Sequence, residues 1–241
     1  MRLSVVIPIY NEAPNILPLA RRVIRVLGAL SLDFAEVIWI NDGSDDGSTE
    51  RLDALATLGA PMRVLHFDRN HGQSAAMAAG FRAARGDWVA TMDGDLQNAP
   101  EDVGKLISAR GPAIGCVAGY RIKRHDSWVR RISSRIANAV RNRLSAETIR
   151  DTGCSLKLFR KSVMDQIKFY DGMHRFLPTL VKMEGWEVVE VPVNHFPRHA
   201  GTSKYGIGNR LFKSFCDLLV VRWMKKRRLD YHVREAGEQV S

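Results

Sequence analysis

The chain of 241 residues is long enough for one α/β domain with appendages, and its 45% hydrophobic residues can form a sizeable core. Its net charge of +10 is uneven, since residues 1–110 hold 11 basic and 14 acidic residues and the remainder holds 25 and 12. Three cysteines with no CxxC pair exclude a disulfide framework and a zinc site of the usual spacing, and favour a reducing compartment.

The N-terminal half alternates strand-like and helix-like segments. Aliphatic and β-branched runs at 3–9, 36–40, 62–67, 87–92 and 114–120 predict strands. Helical patterns follow at 14–30, after residue 48 and at 74–84. Because this alternation is typical of parallel βαβ units, the predicted fold class is α/β. We expect a doubly wound, mostly parallel sheet.

The C-terminal half predicts two basic amphipathic helices. Residues 125–147 place apolar side chains four apart with arginines between them, and residues 211–228 have an apolar face and a basic end. No apolar window is long enough for a membrane span, so two such helices favour docking on an anionic membrane surface. A surface helix packed on the core, a coiled coil or a dimer face would give the same pattern.

An acidic motif, Asp93-Gly94-Asp95-Leu96-Gln97, follows the predicted strand at 87–92. Carboxylate and amide oxygens at alternating positions suit Mg²⁺ or Mn²⁺, whose remaining ligands are usually waters and substrate phosphates. We therefore expect Asp93, Asp95 and Gln97 to hold a metal and, through it, a diphosphate. An acidic turn that caps the next helix, at Pro100, is the alternative.

Two more polar loops follow predicted strands, at residues 10–12 and 41–48. The carboxyl ends of parallel strands share one edge of a sheet, so the three loops should converge on one crevice. Carboxylates in the first two loops suit a base or a ribose, and the metal loop suits phosphates. The sequence lacks GxGxxG after its first strand and GxxxxGK[ST], which argues against NAD binding and ATP hydrolysis.

These motifs resemble those of the family 2 glycosyltransferases with the GT-A fold, and most closely the polyprenyl-phosphate (dolichyl-phosphate) sugar synthases. The resemblance covers almost the whole chain and implies a Rossmann-like nucleotide-binding half. Its early motifs are Val5-Val6-Ile7-Pro8-x-Tyr10-Asn11-Glu12, Asn41-Asp42-Gly43-Ser44-x-Asp46-Gly47-Ser48, Arg69-Asn70-x-Gly72-Gln73 and Met92-Asp93-Gly94-Asp95-Leu96-Gln97. The Asp-x-Asp-x-Gln arrangement and a late motif narrow it to lipid-phosphate acceptors. The late motif is Val191-Pro192-Val193-x-His195-x-x-Arg198-x-x-Gly201-x-Ser203-Lys204-Tyr205.

The resemblance implies site roles for the matching residues. Those that would contact the nucleotide sugar are Pro8, Tyr10, Glu12, Asp42, Asp93, Arg198, Ser203 and Lys204. Those that would take part in catalysis are Asp95, Asp151, Arg198 and Lys204. Arg198, Ser203 and Lys204 would close over the phosphates as a flap. The acceptor phosphate would meet Arg121 and Arg131, with Arg130 as the competitor of Arg131, and Gln73 receives no charge role because some members carry lysine there.

The implied reaction is the attack of a lipid phosphate on the anomeric carbon of a nucleotide sugar, with inversion of configuration. A phosphate monoester is largely dianionic near neutral pH, since its second pKa is about 6, and needs little help from a general base. A hydroxyl acceptor would need one. Asp151 is the candidate carboxylate, and we expect it to position the acceptor; a turn within its own loop is the alternative.

The main reading is therefore an inverting, Mg²⁺- or Mn²⁺-dependent transferase. It would move a sugar from GDP-mannose or a UDP-sugar to a polyprenyl phosphate. The alternative is a family 2 enzyme with a sugar or lipid hydroxyl acceptor in cell-envelope polysaccharide synthesis. A nucleic-acid-binding module is disfavoured, because the aromatic residues of the basic helices lie on their apolar sides.

The expected organisation is a single domain at 1–228. It comprises a nucleotide-sugar and metal half at 1–120, an acceptor and membrane-surface half at 121–228, and a mobile polar tail at 229–241. With no signal peptide or transmembrane helix expected, the enzyme would contact the cytoplasmic side of the membrane peripherally, or through an integral-membrane partner. Trp186, Val188 and Val191 indicate strand packing, and His195 would order the strand of the flap rather than bind zinc.

Overall fold

The computed structural model describes residues 1–59, 61–122, 149–197 and 207–227. Its strands are β1 Arg2–Ile9, β2 Phe34–Asn41, β3 Met62–His66, β4 Trp88–Thr91, β5 Ile114–Arg121, β6 Lys157–Arg160 and β7 Glu187–Val193. Its helices are α1 Ala13–Ala29, α2 Ser48–Ala56, α3 Gln73–Ala83, α4 Val103–Ser108, α5 Lys161–Met164, α6 Leu177–Met183 and α7 Ile207–Lys226. Short 3₁₀ helices at Pro100–Asp102 and Met173–Arg175 precede α4 and α6. The strands form a seven-stranded sheet in the order β3-β2-β1-β4-β6-β5-β7.

The sheet is mostly parallel, as predicted. β1 pairs in parallel with β2 and β4, β2 with β3, and β5 with β7. β6 runs antiparallel to both of its neighbours, β4 and β5. The sequence pattern does not predict β6, because a strand of four residues is too short to show alternation. Its direction matters for the site, since the residues before β6 reach the edge at which β4 ends.

Helices cover both faces of the sheet, which confirms the doubly wound arrangement. One core cluster contains Leu3, Val5, Ile7 and Ile9 of β1, Ile16, Leu19 and Val23 of α1, and Leu52 of α2. A second contains Val6 of β1, Met77 and Phe81 of α3, and Leu177 of α6. Successive side chains of a strand point to opposite faces, so the apolar run of β1 supplies both layers.

A buried carboxylate, Glu36, joins the amino ends of the first strands. It is 3% exposed and accepts hydrogen bonds from Ser4 Oγ, Arg63 Nη1 and the backbone N–H of Arg85, each at 2.7 Å. Burial alone would raise the pKa of the Glu36 carboxyl, but these hydrogen bonds and the charge of Arg63 outweigh it and hold the pKa below its usual value. The cluster connects β1, β2, β3 and the turn before β4.

Helix α7 packs on the domain through Leu218 and Val221, which contact Phe176. On its outer surface Leu219, Val220 and Trp223 are 43%, 49% and 63% exposed. Among the described residues, no helix combines the length and the apolar content that crossing a membrane requires. The predicted helix at 125–147 and the tail at 229–241 lie outside the described residues.

Candidate active site

The three polar loops meet at one edge of the sheet. β2, β1 and β4 are adjacent and parallel, so the loops that follow them emerge side by side, which confirms the predicted convergence. Pro8 lies near the end of β1 opposite Ile40, and Tyr10 and Glu12 follow directly; all three predicted nucleoside contacts are partly buried.

The first two loops are joined through Asn11 and Asp45. Asn11 Nδ2 donates to Asp45 Oδ1 at 2.7 Å, and the backbone N–H of Asp45 donates to Asn11 Oδ1 at 3.0 Å. Asn11 also donates its backbone N–H to Ser44 Oγ at 3.0 Å and has a positive φ of 54°. Asparagine tolerates this left-handed conformation better than most residues, which explains its place at the turn. The sequence does not indicate this contact, because the two residues lie 34 positions apart.

Asp46 of the second loop binds the first residues of two helices. Its Oδ2 accepts the backbone N–H of Ala13 at the start of α1 at 3.0 Å, and its Oδ1 accepts the N–H and the hydroxyl of Ser48 at the start of α2. Burial would raise the pKa of the Asp46 carboxyl, but the hydrogen bonds from Ser48 and Ala13 outweigh it and lower the pKa. The carboxylate therefore positions both helices that border the crevice.

Asp42, a predicted nucleoside contact, is 3% exposed. Its Oδ1 accepts the backbone N–H of His71 at 2.7 Å. Its Oδ2 accepts the backbone N–H of Gly72 at 3.0 Å and the side-chain N–H of Asn70 at 3.1 Å. Burial raises the pKa of the Asp42 carboxyl, and the backbone hydrogen bonds offset only part of this rise. Asp42 thus holds the loop before α3 in place at the crevice, a structural role that the sequence analysis did not anticipate.

Gly43, next to Asp42, allows the second loop to contact this same segment. Its φ is +66°, and a Cβ at this position would lie 2.3 Å from the backbone carbon of Arg69. No side chain fits this approach, so the glycine is required by the geometry.

The metal loop brings its predicted ligands to the end of β4. Asp95 is 7% exposed, its Oδ1 accepts the backbone N–H of Gln97 at 3.2 Å, and Leu96 between them has a positive φ of 62°. A Cβ on Gly94 would lie 2.3 Å from Ile9 Cδ1, so the glycine lets this loop pack against the end of β1.

Two glutamines orient the metal loop. Gln73 Nε2 donates to Asp93 Oδ1 at 2.9 Å, so Gln73 contacts the metal loop through its amide group and needs no charge. Gln97 Nε2 donates to the backbone oxygen of Phe196 at 3.4 Å, and Phe196 donates its N–H to the backbone oxygen of Gln97 at 2.9 Å. Since an amide nitrogen and oxygen point apart, the Gln97 side chain can present its oxygen to a cation.

The donor set fits a hard divalent cation that keeps part of its shell for substrate. Asp93, Asp95 and Gln97 offer carboxylate and amide oxygens, which Mg²⁺ and Mn²⁺ prefer. The described residues contain no cluster of three or more His, Cys, Asp or Glu side chains suited to a metal. A cation held by this loop would complete its coordination with water and substrate oxygens.

Ser155 joins the metal loop to the turn before β6. Its hydroxyl accepts the backbone N–H of Asp93 at 3.3 Å and the side-chain N–H of Asn98 at 2.7 Å, and its carbonyl accepts the hydroxyl of Thr91 at 2.7 Å. Asn98 in turn pairs with His195 in a β-bridge. Because β6 runs antiparallel to β4, the turn that carries Ser155 lies at the end of β4, where the metal loop begins.

The same turn carries Asp151, which forms a bidentate ion pair with Arg121 at the end of β5. Arg121 Nε and Nη2 lie 2.7 Å and 2.9 Å from the two carboxylate oxygens, and the backbone N–H of Arg121 adds a bond of 3.3 Å. Both side chains are largely buried. The residue expected to position the acceptor thus directly contacts a residue expected to bind its phosphate. Arg130, Arg131, Arg198, Ser203 and Lys204 lie outside the described residues.

A model of the family described as "Glycosyl transferase family 2" matches residues 4–168, a range that includes all three loops and the turn with Asp151. The chain belongs to glycosyltransferase family 2. This family 2 glycosyltransferase is 38% identical over 205 residues to the undecaprenyl-phosphate 4-deoxy-4-formamido-L-arabinose transferase of Aeromonas hydrophila. The match covers 85% of this chain and 63% of that relative.

A second relative, the dodecaprenyl-phosphate galacturonate synthase of Rhizobium johnstonii, is 37% identical over 231 residues, which cover 94% of this chain and 68% of the relative. The chain thus spans less than two thirds of the Aeromonas relative and slightly more than two thirds of the Rhizobium relative.

Solved structures confirm the expected GT-A fold of this family 2 glycosyltransferase. Glucosyl-3-phosphoglycerate synthase from Mycobacterium tuberculosis, in complex with Mn²⁺, UDP and phosphoglyceric acid, superposes with a TM-score of 0.70 at 17% identity. The match covers 95% of this chain and 80% of that one. A mannosyltransferase from Pyrobaculum calidifontis, in complex with GDP-Man and Mn²⁺, gives a TM-score of 0.63 at 19% identity and coverages of 95% and 65%. At such identities the likeness establishes the fold alone.

Proposed function

We propose that the protein transfers a sugar from a nucleotide sugar to a polyprenyl phosphate with inversion at the anomeric carbon. The contact of Ser155 with Asp93 carries the proposal, because it brings the metal loop next to the turn whose Asp151 pairs with Arg121. The names of the two relatives, both polyprenyl-phosphate sugar transferases, support the acceptor class. The loops that follow β1 and β2 would bind the nucleoside.

On the donor side, Asp93, Asp95 and Gln97 would hold Mg²⁺ or Mn²⁺. When bound, the cation supplies charge neutralisation for the leaving diphosphate. Gln73 fixes one oxygen of Asp93, and the Asn11–Asp45 contact keeps the nucleoside loops together. These residues are positioned before substrate arrives, so little reorganisation opposes the transfer.

On the acceptor side, Arg121 would bind the lipid phosphate. A guanidinium carries five N–H donors in one plane, and the side chain of Asp151 takes two of them while fixing the plane. Arg198 and Lys204 of the late motif would contribute further positive charge to the phosphates. Asp151 acts in this proposal as a positioning residue for Arg121.

The ion pair also favours a phosphate over a hydroxyl acceptor. In the transfer, a phosphate oxygen forms the new bond to the anomeric carbon while the diphosphate departs with the electron pair of the broken bond. The attacking phosphate is already largely ionised near neutral pH and loses no proton in this step. A hydroxyl acceptor requires a base, and the carboxylate of Asp151 is bonded to a guanidinium through both oxygens.

We further propose that α7 contacts the membrane in which the lipid acceptor resides. Its exposed Leu219, Val220 and Trp223 lie on the same helix as Lys225 and Lys226 at its end. Apolar side chains can enter the interface while the basic ones meet anionic head groups. This contact is peripheral and would bring the crevice to the cytoplasmic surface of the membrane.

The test incubates the protein with a short polyprenyl phosphate, Mn²⁺ or Mg²⁺, and a panel of UDP- and GDP-activated sugars. We expect one donor to yield a glycolipid with inverted configuration, and no product in the presence of excess EDTA. Glycosylation of a sugar or lipid hydroxyl in place of the phosphate would overturn the proposal.

A further inference from the structure

A cavity of about 120 Å³ opens beside the metal loop, between β4, the turn before β6 and the 3₁₀ helix at Met173–Arg175. Its lining includes Asp93, Gln73, Lys157, His174 and Arg175. This volume is several times what one water molecule needs, so the cavity can accept a small polar group.

The lining carries two cations, the ammonium of Lys157 and the guanidinium of Arg175, beside the imidazole of His174. Asp93 is its one carboxylate among the described residues. Asp93 is also the first ligand of the proposed metal, so its charge is directed to the cation. The rest of the cavity is therefore suited to an anion.

Lys157 is the strongest indication that the cavity binds an anion. It is 4% exposed, and its Nζ donates to the backbone oxygens of Cys154 and of Thr152, the latter at 3.4 Å. An ammonium has three N–H donors, and Lys157 forms no ion pair with any other residue that the structure describes. Burying a charge without a counter-ion is costly, so a ligand that supplies one would bind favourably here.

The opposite wall of the cavity is held by the contact between Ser74 and His174. Ser74 Oγ lies 2.7 Å from His174 Nδ1 and accepts the backbone N–H of Gly172 at 3.0 Å. This pairing connects the start of α3 to the 3₁₀ helix that carries Arg175. The cation of Arg175 thus belongs to an ordered wall rather than to an unattached surface loop.

We propose that this cavity binds the carboxylate of the transferred sugar, and that the donor is a nucleotide-activated uronic acid. The inference rests on the proposed function, because a diphosphate held at Asp93 and Asp95 places its attached sugar next to this loop. The cavity adjoins Asp93 directly. A neutral hexose would leave the ammonium of Lys157 without a counter-ion, whereas a uronate supplies it and can also pair with Arg175.

The phosphate of the lipid acceptor is the other oxyanion of this reaction, and the experiment separates the two. It compares transfer from matched donors that differ only in the carboxylate: UDP-glucuronate with UDP-glucose, UDP-galacturonate with UDP-galactose, and GDP-mannuronate with GDP-mannose. The variants are Arg175→Gln and Lys157→Met, with Arg110→Gln as control, since Arg110 is exposed at the end of α4 and does not line the cavity.

We expect the wild-type protein to prefer the uronate of one pair. Arg175→Gln should lower kcat/KM for that uronate roughly tenfold, as the loss of one charged hydrogen bond predicts, and should leave the neutral sugar unaffected. Lys157→Met should act in the same direction, and Arg110→Gln should have no effect. Equal use of uronate and neutral donors by the wild type would overturn the inference. An equal loss on both donors with a raised KM for polyprenyl phosphate would also overturn it, by assigning the cavity to the acceptor.

Failure of the proposed function can be told apart from failure of this inference. If no donor is turned over, calorimetric titration of the same nucleotide-sugar pairs in the presence of Mn²⁺ reads binding alone. Tighter binding of a uronate, lost in Arg175→Gln but kept in Arg110→Gln, would support the carboxylate site without any transfer. Equal affinity for charged and neutral members of every pair would refute it.

Discussion

The carboxylate of Asp151 and the guanidinium of Arg121 face each other in a bidentate ion pair, with distances of 2.7 Å and 2.9 Å. We predict that Asp151→Asn lowers kcat/KM for the lipid phosphate roughly 30-fold, which corresponds to about 2 kcal/mol of activation free energy, because Arg121 loses the carboxylate that fixes it. KM for the nucleotide sugar should not change. Steady-state kinetics with each substrate varied in turn measures the effect.

The control for this variant is Asp165→Asn, which removes an exposed carboxylate paired with Lys161 and should leave both constants unchanged. Unchanged turnover in Asp151→Asn would end the positioning role of this residue.

Asp95→Asn should abolish metal-dependent transfer. Replacing a carboxylate ligand with an amide weakens cation binding, and we expect activity to fall at least roughly 100-fold. Mn²⁺ binding, followed by calorimetry in the presence of UDP or GDP, should weaken in parallel. The matched control is Asp87→Asn, because Asp87 is exposed and precedes β4, at the end of the strand away from the metal loop. Activity that persists in Asp95→Asn without added metal would contradict the metal role.

Gly43→Ala should destabilise the protein more than Gly47→Ala. Both glycines have a positive φ, +66° and +87°, which costs a side chain about 1–2 kcal/mol. A Cβ on Gly43 would also lie 2.3 Å from the backbone of Arg69, whereas the nearest atom to one on Gly47 is a side-chain oxygen at 3.9 Å. Chemical denaturation should therefore show an additional loss of about 1–3 kcal/mol for Gly43→Ala. Equal losses would show that the contact with Arg69 carries no cost.

Through Glu36, the free energy of unfolding should depend on pH. Its pKa is lower in the folded state than the usual 4.5, so the carboxylate stabilises the fold at neutral pH, and this contribution is lost as the pH falls through the folded-state pKa. Glu36→Gln should lower the free energy of unfolding by roughly 2 kcal/mol at pH 7, and the difference from wild type should shrink below pH 4.5. Urea denaturation at several pH values measures this. Glu187→Gln, an exposed site on β7, should behave as wild type.

Trp223→Ser should weaken binding to vesicles that contain anionic lipid. The side chain is 63% exposed beside Leu219 and Val220, and its loss from the interface should reduce partitioning roughly tenfold. Leu58→Ser removes another exposed apolar side chain, 69% exposed after α2, and should not affect vesicle binding. Flotation at increasing salt adds a second readout, because head-group contacts of Lys225 and Lys226 are screened. Equal flotation of both variants would refute the α7 contact.

The convergence of the three loops could be predicted from the sequence because it follows from local patterns and one topological rule. A polar loop after each of three parallel strands must lie at the carboxyl edge. The contacts inside the crevice could not be predicted in this way. Asn11 with Asp45, and Asp46 with Ala13, join residues more than 30 positions apart, and nothing in their spacing indicates a partner.

Lys157 shows the same limit more clearly. A lysine in a four-residue strand indicates an exposed side chain by composition alone. Its burial results from β6 running antiparallel between β4 and β5, a direction that short strands do not reveal in sequence. The cavity that it lines could therefore be found only once the fold was known.

The reversal of β6 has a consequence for how this scaffold can vary. Strand β5 ends at Arg121 and β6 begins at Lys157, and Ala118 and Lys157 are paired on these neighbouring strands. The two ends of the intervening segment therefore lie side by side in the sheet. An exchange of this segment between related enzymes that retains Ser155 would preserve both the pairing of β5 with β6 and the contact of Ser155 with Asp93. Under the proposed function, acceptor preference can then change while the nucleotide-binding loops stay the same.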